Sequence, residues 1–315
     1  MPKVGYVAIV GRPNAGKSTL LNALIWEKVS AVSYRPQTTQ RSIPGIFTDD
    51  ENTIQIVFLD TPGIHNTTSD GQFGSQKSFE INERINSEAF ASLREADVII
   101  RLLDPTRPYG IEDERIDEVL SFQTKPILRI ETKQDMDNKS YPQKGVDLRI
   151  DSVEKIGFEE LIKKVSEYLP EGPFLYDPEY YTDQPMDLRI QEVIREILFL
   201  ELGDEIPYAA YVEVAEIEER EAGTVIQKPL KWSGPAKERF LSEMLRIQAY
   251  INVESDSQKT IIIGKGGKKI ETIGTRSRMI LEGIFDKKVF LALRVKVHKN
   301  WRKDEKTLEK LFPKK

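Results

Sequence analysis

The stretch Gly11-Arg12-Pro13-Asn14-Ala15-Gly16-Lys17-Ser18 decides the fold of the first half of the chain. Two glycines enclose a turn that is followed by Lys and Ser, the pattern of a loop whose backbone N–H groups bind phosphate. Apolar residues from Tyr6 to Val10 predict a strand before the loop, and Ser18 to Ile25 have helical spacing after it. A phosphate at this helix N-terminus would lie against backbone amides, the Lys17 ammonium and a Mg²⁺ ion held by the Ser18 hydroxyl.

The composition is that of a chain that folds in water. It has 315 residues, enough for two domains of ~150, with 39% hydrophobic and 31% charged residues. The absence of cysteine excludes disulfides and thiolate metal sites, and His65 and His298 lie too far apart to form a spaced metal motif. We find neither a signal-peptide pattern nor an apolar run of ~18 residues, so we expect a cytoplasmic protein.

Strand and helix patterns alternate through the first part of the chain. Strands are predicted at Tyr6–Val10, Thr53–Leu59, Val98–Leu103 and Ile127–Ile130, and helices at Ser18–Ile25, Phe79–Leu93, Arg115–Phe122 and Phe158–Tyr168. This alternation predicts an α/β fold, a doubly wound and mostly parallel sheet over residues 1–168. Prolines then predict a linker over 169–185, and a second domain follows over 186–315.

Residues that can complete a Mg²⁺-nucleotide site follow the loop at the expected places. Asp60-Thr61-Pro62-Gly63 comes at the end of a predicted strand, which puts Asp60 near Mg²⁺ and the Gly63 N–H near a γ-phosphate. Thr39, with Thr38 as the alternative, can supply a second hydroxyl. The predicted Mg²⁺ ligands are therefore Ser18, Thr39 and Asp60.

The motif Thr132-Lys133-Gln134-Asp135 predicts the base. A carboxylate after the strand Ile127–Ile130 can accept hydrogen bonds from both N1–H and the exocyclic amine of guanine, and adenine offers no such pair of donors. We therefore expect GTP and GDP rather than ATP. The predicted nucleotide-binding residues are Gly11, Arg12, Pro13, Asn14, Ala15, Gly16, Lys17, Ser18, Thr19, Asp60, Thr61, Pro62, Gly63, Thr132, Lys133, Asp135, Asp151 and Ser152.

This set of motifs resembles the translation-factor-like GTPases, with departures that bear on activity. Thr132 replaces the usual Asn, which predicts lower nucleotide affinity, and Asp151-Ser152 is the best counterpart of the usual Ser-Ala contact to guanine. Ile64 stands where some of these GTPases carry a water-positioning Gln, which predicts slow hydrolysis. Asn14 matches a subset in which K⁺ replaces an arginine finger, and we hold this as a hypothesis. The predicted catalytic residues are Lys17, Asn14, Thr39 and Gly63.

The charge distribution points to a polyanion-binding module at the end of the chain. Residues 259–315 hold 17 Lys and Arg against 6 Asp and Glu, a net charge of +11, and the rest of the chain has a net charge of −16. Gly264-Lys265-Gly266-Gly267 lies within this block, and a Gly-x-x-Gly loop with lysines lets a backbone approach about four nucleotides. The predicted RNA-binding residues are Gly264, Lys265, Gly266, Gly267, Lys268, Lys269, Arg276, Lys299 and Trp301.

The elements around this loop predict an α+β, type II KH fold. We expect a helix over 237–247, strands at Ala249–Val253 and Thr260–Ile263, a helix at Lys268–Phe285 and a strand at Val289–Val297. On the last strand, Val289, Leu291, Leu293, Val295 and Val297 share one face and Phe290, Ala292, Arg294 and Lys296 the other. Trp301 is either a stacking platform for a base or a core anchor of the tail.

Taken together, the two halves resemble a bacterial family of GTPases with a C-terminal KH domain. The resemblance implies assembly of the small ribosomal subunit through binding of 16S rRNA near its 3′ end, peripheral contact with the inner face of the membrane, and no role for DNA. We expect a monomer, although the sequence leaves the oligomeric state open. Two alternatives remain, a passive RNA-binding protein with a degenerate nucleotide site and a P-loop kinase.

Overall fold

The computed structural model describes residues 1–32, 42–49, 51, 53–62, 79–136, 140–202, 206–220, 223–226, 238–241 and 243–312. The chain divides into two compact units. The first comprises Met1–Gln184 together with Trp301–Lys315, and the second comprises Pro185–Asn300.

The first unit is built on a six-stranded sheet. Its strands are β1 (Lys3–Val10), β2 (Ile43–Asp49), β3 (Ile54–Asp60), β4 (Val98–Leu103), β5 (Ile127–Glu131) and β6 (Leu148–Arg149). Its helices before the second unit are α1 (Lys17–Ile25), α2 (Phe79–Glu95), α3 (Ile111–Ser121) and α4 (Phe158–Ser166). The strand order is β2-β3-β1-β4-β5-β6, and every neighbouring pair is parallel except β2 with β3.

Helices cover both faces of this sheet, which confirms the predicted doubly wound fold. Alternate residues of β1 separate into two cores, since Val7 and Ile9 pack with α1 and α4 while Ala8 and Val10 pack with α2 and α3. Because β4 is buried along its whole length, it reads as a continuous apolar run broken only by Arg101. The carboxyl ends of β1, β3, β4 and β5 therefore meet at one edge, where ligands bind in such sheets.

The edge strand β2 is the main element of the first unit that the sequence did not predict. It contains Pro44 and Gly45, both poor strand formers, so its propensity is weak. Gly45 is required by packing, because a Cβ there would lie 2.6 Å from Leu21 Cδ1 on α1.

The segment 169–185, which we expected as a linker, is hydrogen-bonded to the first unit almost to its end. The Gln55 side chain on β3 accepts from the N–H groups of Leu175 and Tyr176 and donates to the Tyr176 carbonyl. The Ile46 N–H donates to the Tyr181 carbonyl, 2.9 Å away. Hydrogen bonds to β2 and β3 therefore hold this segment along the sheet of the first unit.

The second unit is a three-stranded sheet with helices on one face. Its sheet has the order β11-β10-β7, and its elements are α5 (Met186–Glu201), β7 (Ala210–Arg220), β8 (Gly223–Ile226), β9 (Glu238–Leu241), β10 (Met244–Val253), α6 (Asp256–Ile263), α7 (Lys268–Phe285) and β11 (Lys288–Val297). Strand β10 is parallel to β11 and antiparallel to β7. The core lies between β10 and the helices, where Ile247, Ile251, Ile194 and Ile273 are fully buried.

Two predictions in this unit are wrong. The helix expected over 237–247 is strand where the structure describes it, because the residues of β10 alternate between buried and more exposed positions with a period of two. The strand expected at Thr260–Ile263 is the end of α6. Its short apolar run is ambiguous by itself. The helix is capped by Ser255, whose hydroxyl accepts from the Gln258 N–H while the Gln258 side chain accepts from the Ser255 N–H.

The tail after Asn300 returns to the first unit. It forms a short 3₁₀ turn at Trp301–Lys303 and the helix α8 (Glu305–Leu311), and the turn packs on α2. Trp301 is 2% exposed and Leu308 is 1% exposed. Within the part of the chain that the structure describes, no helix combines the length and apolar character that crossing a membrane requires.

Candidate functional site

The predicted phosphate loop lies between β1 and α1, as expected. Gly16 has φ 95° and is the N-cap of α1, and Asn14 has φ 63°. Both values lie in the left-handed region, so the loop turns back on itself and ends with its N–H groups at the helix N-terminus. Asn14 is exposed, while Pro13 and Ala15 are buried and Thr19 is half-buried in the first turn of α1.

Lys17 places its ammonium inside this loop. The Nζ atom donates to the carbonyls of Gly11, at 3.0 Å, and Arg12, at 3.2 Å, and the residue is 8% exposed. Burial lowers the pKa of Lys17 to about 8; Asp60 opposes this shift, and the positive charge of Arg101 adds to it. The ammonium is thus fixed at the position where phosphate oxygens would approach.

Ser18 and Asp60 meet at the mouth of the loop, as the Mg²⁺ prediction requires. The Ser18 hydroxyl lies 2.6 Å from Asp60 Oδ2, and Asp60 is fully buried. A hydroxyl beside a carboxylate is an oxygen donor set that suits a hard cation such as Mg²⁺. The predicted ligand Thr39 and the predicted γ-phosphate contact Gly63 lie outside the described residues, as do Ile64 and His65. Thr61 and Pro62 are buried, and the Thr61 hydroxyl donates to the Ile9 carbonyl.

Sequence reasoning missed Ser30 as a member of this group. Its hydroxyl donates to the same Asp60 oxygen at 2.6 Å, and it is 1% exposed. The Asn22 side chain holds it there by accepting from the N–H groups of Val29 and Ser30. Ser30 gave no signal in the sequence, because a single serine after a helix has no distinctive spacing.

The base-recognition motif lies at the end of β5, next to the phosphate loop. The Thr132 hydroxyl is 2.9 Å from the Ala15 carbonyl and 3.2 Å from the Leu103 carbonyl, so it connects β5 to the loop. Lys133 has φ 57°, and its ammonium lies 2.7 Å from Asp104 Oδ2. Asp135 is exposed. Thr132 thus supplies the contact to the phosphate loop, although a hydroxyl offers fewer bonds than an amide.

Asp104 lies at the centre of these contacts. Burial raises its pKa, but hydrogen bonds from Lys133 and Thr106 outweigh burial and hold the pKa at about 2. The carboxylate is therefore ionised at any physiological pH. It joins the base motif to Arg12 of the phosphate loop, whose Nη2 is 3.6 Å away.

Asp151 and Ser152, the predicted guanine contacts, lie in a turn after β6. The Asp151 carboxylate accepts from the N–H groups of Val153 and Glu154 at 2.8 and 2.9 Å, and the residue is 3% exposed. Its side chain therefore shapes the turn, and Ser152 follows it as a half-buried residue.

The side chain of Arg12 in the phosphate loop belongs to a buried ionic network that the sequence did not indicate. The Arg12 side chain donates to Asp113 Oδ2 at 2.9 Å, while Arg101 donates to Asp113 Oδ1 at 2.8 Å and to Asp117 at 2.9 Å. Arg101 is fully buried in the centre of the sheet. The Arg12 guanidinium is therefore engaged by Asp113 and by the Asp104 and Pro108 carbonyls, and its role as a nucleotide contact stays a prediction.

The predicted RNA loop connects α6 to α7. Gly264 has φ 70° and ψ 175°, and a Cβ there would lie 2.7 Å from Lys269 Cβ, so this position requires glycine. Gly266 and Gly267 also have positive φ, at 63° and 80°. The loop is thus a compact turn that leaves its backbone open to a neighbouring chain.

The predicted basic residues of this site differ in their surroundings. Lys265, Lys268 and Lys299 are exposed and Lys269 is half-buried, whereas Arg276 on α7 pairs with Glu201 on α5. Trp301 lies within the first unit with the Arg302 guanidinium 5.7 Å from its ring centroid. Its burial favours the anchoring role of the two that the sequence left open.

These two sites define the class of the protein: a P-loop GTPase domain followed by a KH domain. Residues 6–133 match the family described as 50S ribosome-binding GTPase, and residues 236–302 match the KH domain. The chain is 37% identical over 321 residues to GTPase Era of Borrelia turicatae, covering 98% of this chain and 99% of that one. It is 37% identical over 324 residues to GTPase Era of Thermoanaerobacter sp. strain X514, covering 98% and 96%.

Two solved structures are similar over almost the whole chain. A crystal structure of Era in complex with MgGDPNP and nucleotides 1506–1542 of 16S ribosomal RNA has a TM-score of 0.82 and 33% identity, covering 99% of both chains. A variant of Aquifex aeolicus Era bound to GDP·AlF4⁻ has a TM-score of 0.81 at the same identity and coverage. The chain belongs to the Era family of GTPases.

Proposed function

We propose that this GTPase is a switch that binds 16S rRNA near its 3′ end and acts, as a monomer in the cytoplasm, in assembly of the small ribosomal subunit. One observation carries the proposal. A phosphate loop with Lys17, Ser18 and Asp60 in place and a glycine loop flanked by exposed lysines occur in one chain. GTP in the first unit would alter how firmly the second binds RNA.

Membership of the Era family supports this function over the two alternatives. The Era structure that is 33% identical to this chain carries a GTP analogue and a fragment of 16S rRNA. A passive RNA-binding protein would need a degenerate nucleotide site, and Thr132, the residue that suggested one, keeps a hydrogen bond to the phosphate loop. A kinase of small molecules is not favoured by either domain.

The chain's own residues would hold the nucleotide as follows. Lys17 binds oxygens of the β- and γ-phosphates, and Asp135 accepts hydrogen bonds from guanine. Ser18 and Asp60 hold Mg²⁺, which bridges the phosphates and offsets their charge when bound. Thr39 and Gly63 act at the γ-phosphate in this proposal. Because Ile64 cannot orient a water molecule, the intrinsic rate of hydrolysis is slow.

Asn14 adds a proposal about a second cation. It is exposed, and its left-handed backbone places it at the outer turn of the phosphate loop. Its amide oxygen would hold K⁺ beside the developing negative charge of the transition state, in place of an arginine finger. GTP hydrolysis should then be faster in potassium than in sodium buffer, and Asn14→Ala should remove the difference. Equal rates for the unmodified protein would rule the K⁺ role out.

The switch is tested by measuring RNA affinity in three nucleotide states. A labelled RNA from the 3′ end of 16S rRNA is titrated with protein that carries the GTP analogue GDPNP, GDP or no nucleotide. Coupling between two sites is usually worth a factor of about 5 to 150, and the same factor should appear when RNA is added and GTP affinity is measured. Lys17→Ala should remove the dependence on nucleotide and leave the nucleotide-free affinity unchanged.

Identical RNA affinity in all three states would contradict the switch while leaving RNA binding intact. An RNA from an interior segment of 16S rRNA serves as the specificity control. If it binds as tightly as the 3′ fragment, the proposed binding site on the ribosomal RNA is wrong.

A further inference from the structure

The sheet of the second unit has a face that its helices do not use. Odd-numbered residues of β10 from Leu245 to Val253 belong to the core that these helices complete. We call the opposite side the far face. It carries Arg246, Gln248 and Tyr250 on β10, Lys288, Phe290, Ala292, Arg294 and Lys296 on β11, and Glu213, Glu216 and Glu218 on β7.

Charge is sorted across the far face. Apart from Arg220 at the end of β7, its cations lie on β10 and on the edge strand β11, and Glu213, Glu216 and Glu218 lie on β7 at the opposite edge. Arg246 on the central strand pairs with Glu218 at 3.7 Å, so the cations of β11 are the ones farthest from the glutamates. The pairing places Arg246 between Phe290 and Glu218, and Tyr250 between Arg294 and Glu213. An anion is therefore attracted to the β11 side and repelled from the β7 side.

Phe290 is the unusual residue of this surface. It is the third residue of the edge strand and is 51% exposed, with the Arg246 guanidinium 5.9 Å from its ring centroid. Lys296 lies similarly over Tyr250, with Nζ 3.2 Å from the ring centroid. Ala292, the next residue of β11 on this face, is small and leaves space beside the Phe290 ring. The arrangement is a half-exposed aromatic ring with one cation, Arg246, beside it, next to a second ring, Tyr250, that a lysine covers.

This combination fits single-stranded RNA better than it fits a protein. Bases stack on exposed aromatic rings while Lys and Arg bind the phosphates that follow them. Among the described residues of the far face Phe290 is the one large hydrophobic side chain that is mainly exposed, which is too little apolar surface for a protein interface. From Lys288 to Lys296 the strand spans about 26 Å, at ~3.3 Å per residue.

The far face lies on the opposite side of β11 from the helices that flank the glycine loop. Helices α6 and α7, which flank that loop, both pack on β11, so the edge strand separates the two surfaces. A glycine loop holds about four nucleotides. A longer RNA strand would pass around the edge of the sheet and meet the cations of β11.

We propose that the far face is a second binding surface for single-stranded RNA, in which a base stacks on Phe290 and phosphates bind Arg246, Arg294 and Lys296. The proposal rests on the RNA-binding function proposed above and extends it from the glycine loop to the other side of the sheet.

The test compares a four-nucleotide and a twelve-nucleotide RNA, both from the 3′-terminal segment of 16S rRNA and both labelled for fluorescence anisotropy. Phe290→Val, which keeps a strand-forming apolar residue, and the pair Arg294→Gln with Lys296→Gln should each weaken the twelve-nucleotide RNA by about fivefold or more. The four-nucleotide RNA should bind these variants as it binds the unmodified protein. The charge pair should also reduce the dependence of log K on log salt by about one to one and a half.

Two controls separate this surface from the rest of the protein. Glu216→Gln, on the acidic side of the same face, should leave binding equal or slightly tighter. Lys265→Ala with Lys268→Ala should weaken both RNAs, because the glycine loop is common to both. Crosslinking of a 4-thiouridine-substituted twelve-nucleotide RNA to the unmodified protein gives a measurement that does not depend on variants, and it should label the peptide containing residues 288–296.

Each outcome has a clear meaning. If the far-face variants bind the longer RNA normally and crosslinks fall only near 264–269, the second surface does not exist and the proposed function stands. If instead these variants lose a protein partner but no RNA, the face is a protein interface and the proposal is wrong. If the unmodified protein binds neither RNA, the proposed function itself fails.

Discussion

The two glycine loops of this protein use the same residue types in opposite surroundings. In the loop Gly11–Ser18 the essential cation, Lys17, is buried and hydrogen-bonded to two carbonyls, and an ionic network lies beneath it. In the loop Gly264–Gly267 the neighbouring cations, Lys265 and Lys268, are exposed. The first loop is a fixed site for one ligand geometry, whereas the second is a flexible set of charges on a rigid turn.

This difference predicts how each site responds to change. In a fixed site one or two groups supply most of the binding free energy, so a single substitution has a large effect on affinity. In an exposed set of charges the binding free energy is divided among several contacts, and salt screens each of them. Each substitution therefore has a small effect on affinity. The predictions below test that contrast, beginning with the largest effect.

Lys17→Ala should reduce GTP affinity and hydrolysis by on the order of a hundredfold or more, because no other described side chain places an ammonium inside the loop. Equilibrium binding of a fluorescent GTP analogue and phosphate release would measure the two effects. Lys28→Ala, which changes a lysine just after α1, is the matched control and should bind GTP normally. A loss below tenfold for Lys17→Ala would show that the first loop also shares its energy among many contacts.

Asp113→Asn tests the support beneath the first loop. Asp113 is 3% exposed and neutralises the buried guanidiniums of Arg12 and Arg101, so removing its charge leaves two buried cations without full compensation. We expect a loss of about 3 kcal/mol in the free energy of unfolding, measured by urea denaturation. Glu112→Gln, the exposed neighbour, should change stability by less than about 0.5 kcal/mol. Equal free energies of unfolding for the two variants would mean that the ionic network does not stabilise the fold.

How much of this site could be predicted from the sequence depends on how local its contacts are. Lys17, Ser18 and the turn around Gly16 belong to one contiguous motif, and Asp60 follows at a strand end, so pattern alone places them together. Arg12 meets Asp113 across 101 positions of the chain. No spacing rule reports such a contact, and a buried Arg101 runs against the usual expectation that charged residues lie outside.

The second unit shows the same limit at the level of secondary structure. The glycine loop and the helix after it were predicted, because glycines and helical spacing are local signals. The strand prediction at Ala249–Val253 is correct, but the first residues of β10 and the last residues of α6 are predicted in the wrong class, since short apolar runs fit both periods and packing decides between them. The far face depends on the pairing of β10 with β11, which places Phe290 beside Arg246. No local pattern in the sequence reports that pairing.

Replacing Lys265 and Lys268 by Ala should weaken RNA binding by about tenfold and reduce the salt dependence by about one to one and a half, one counterion term for each lost phosphate contact. Anisotropy titrations at several salt concentrations measure both values. Lys303→Ala with Lys306→Ala, in the tail, gives a control of equal charge. If this control weakens RNA equally, net charge rather than the position of the loop explains binding.

The smallest expected effect is a pH dependence of the first loop that the second should lack. Burial places the pKa of Lys17 near 8, below its usual 10.5. Phosphates favour the charged ammonium, so GTP binding takes up a proton whenever the free protein has lost it, and affinity falls as pH rises through 8. Between pH 7.5 and 8.5 the dissociation constant should increase about threefold, and calorimetry in buffers of different ionisation enthalpy should detect the proton uptake. The same proton equilibrium has the opposite effect on folding. Between pH 8 and 10.5 the unfolded chain binds more protons at Lys17 than the folded protein does, so the contribution of Lys17 to the free energy of unfolding rises with pH in this range. RNA affinity measured over the same range without nucleotide should stay constant, and a matching decline there would assign the pH effect to the protein as a whole rather than to the buried ammonium.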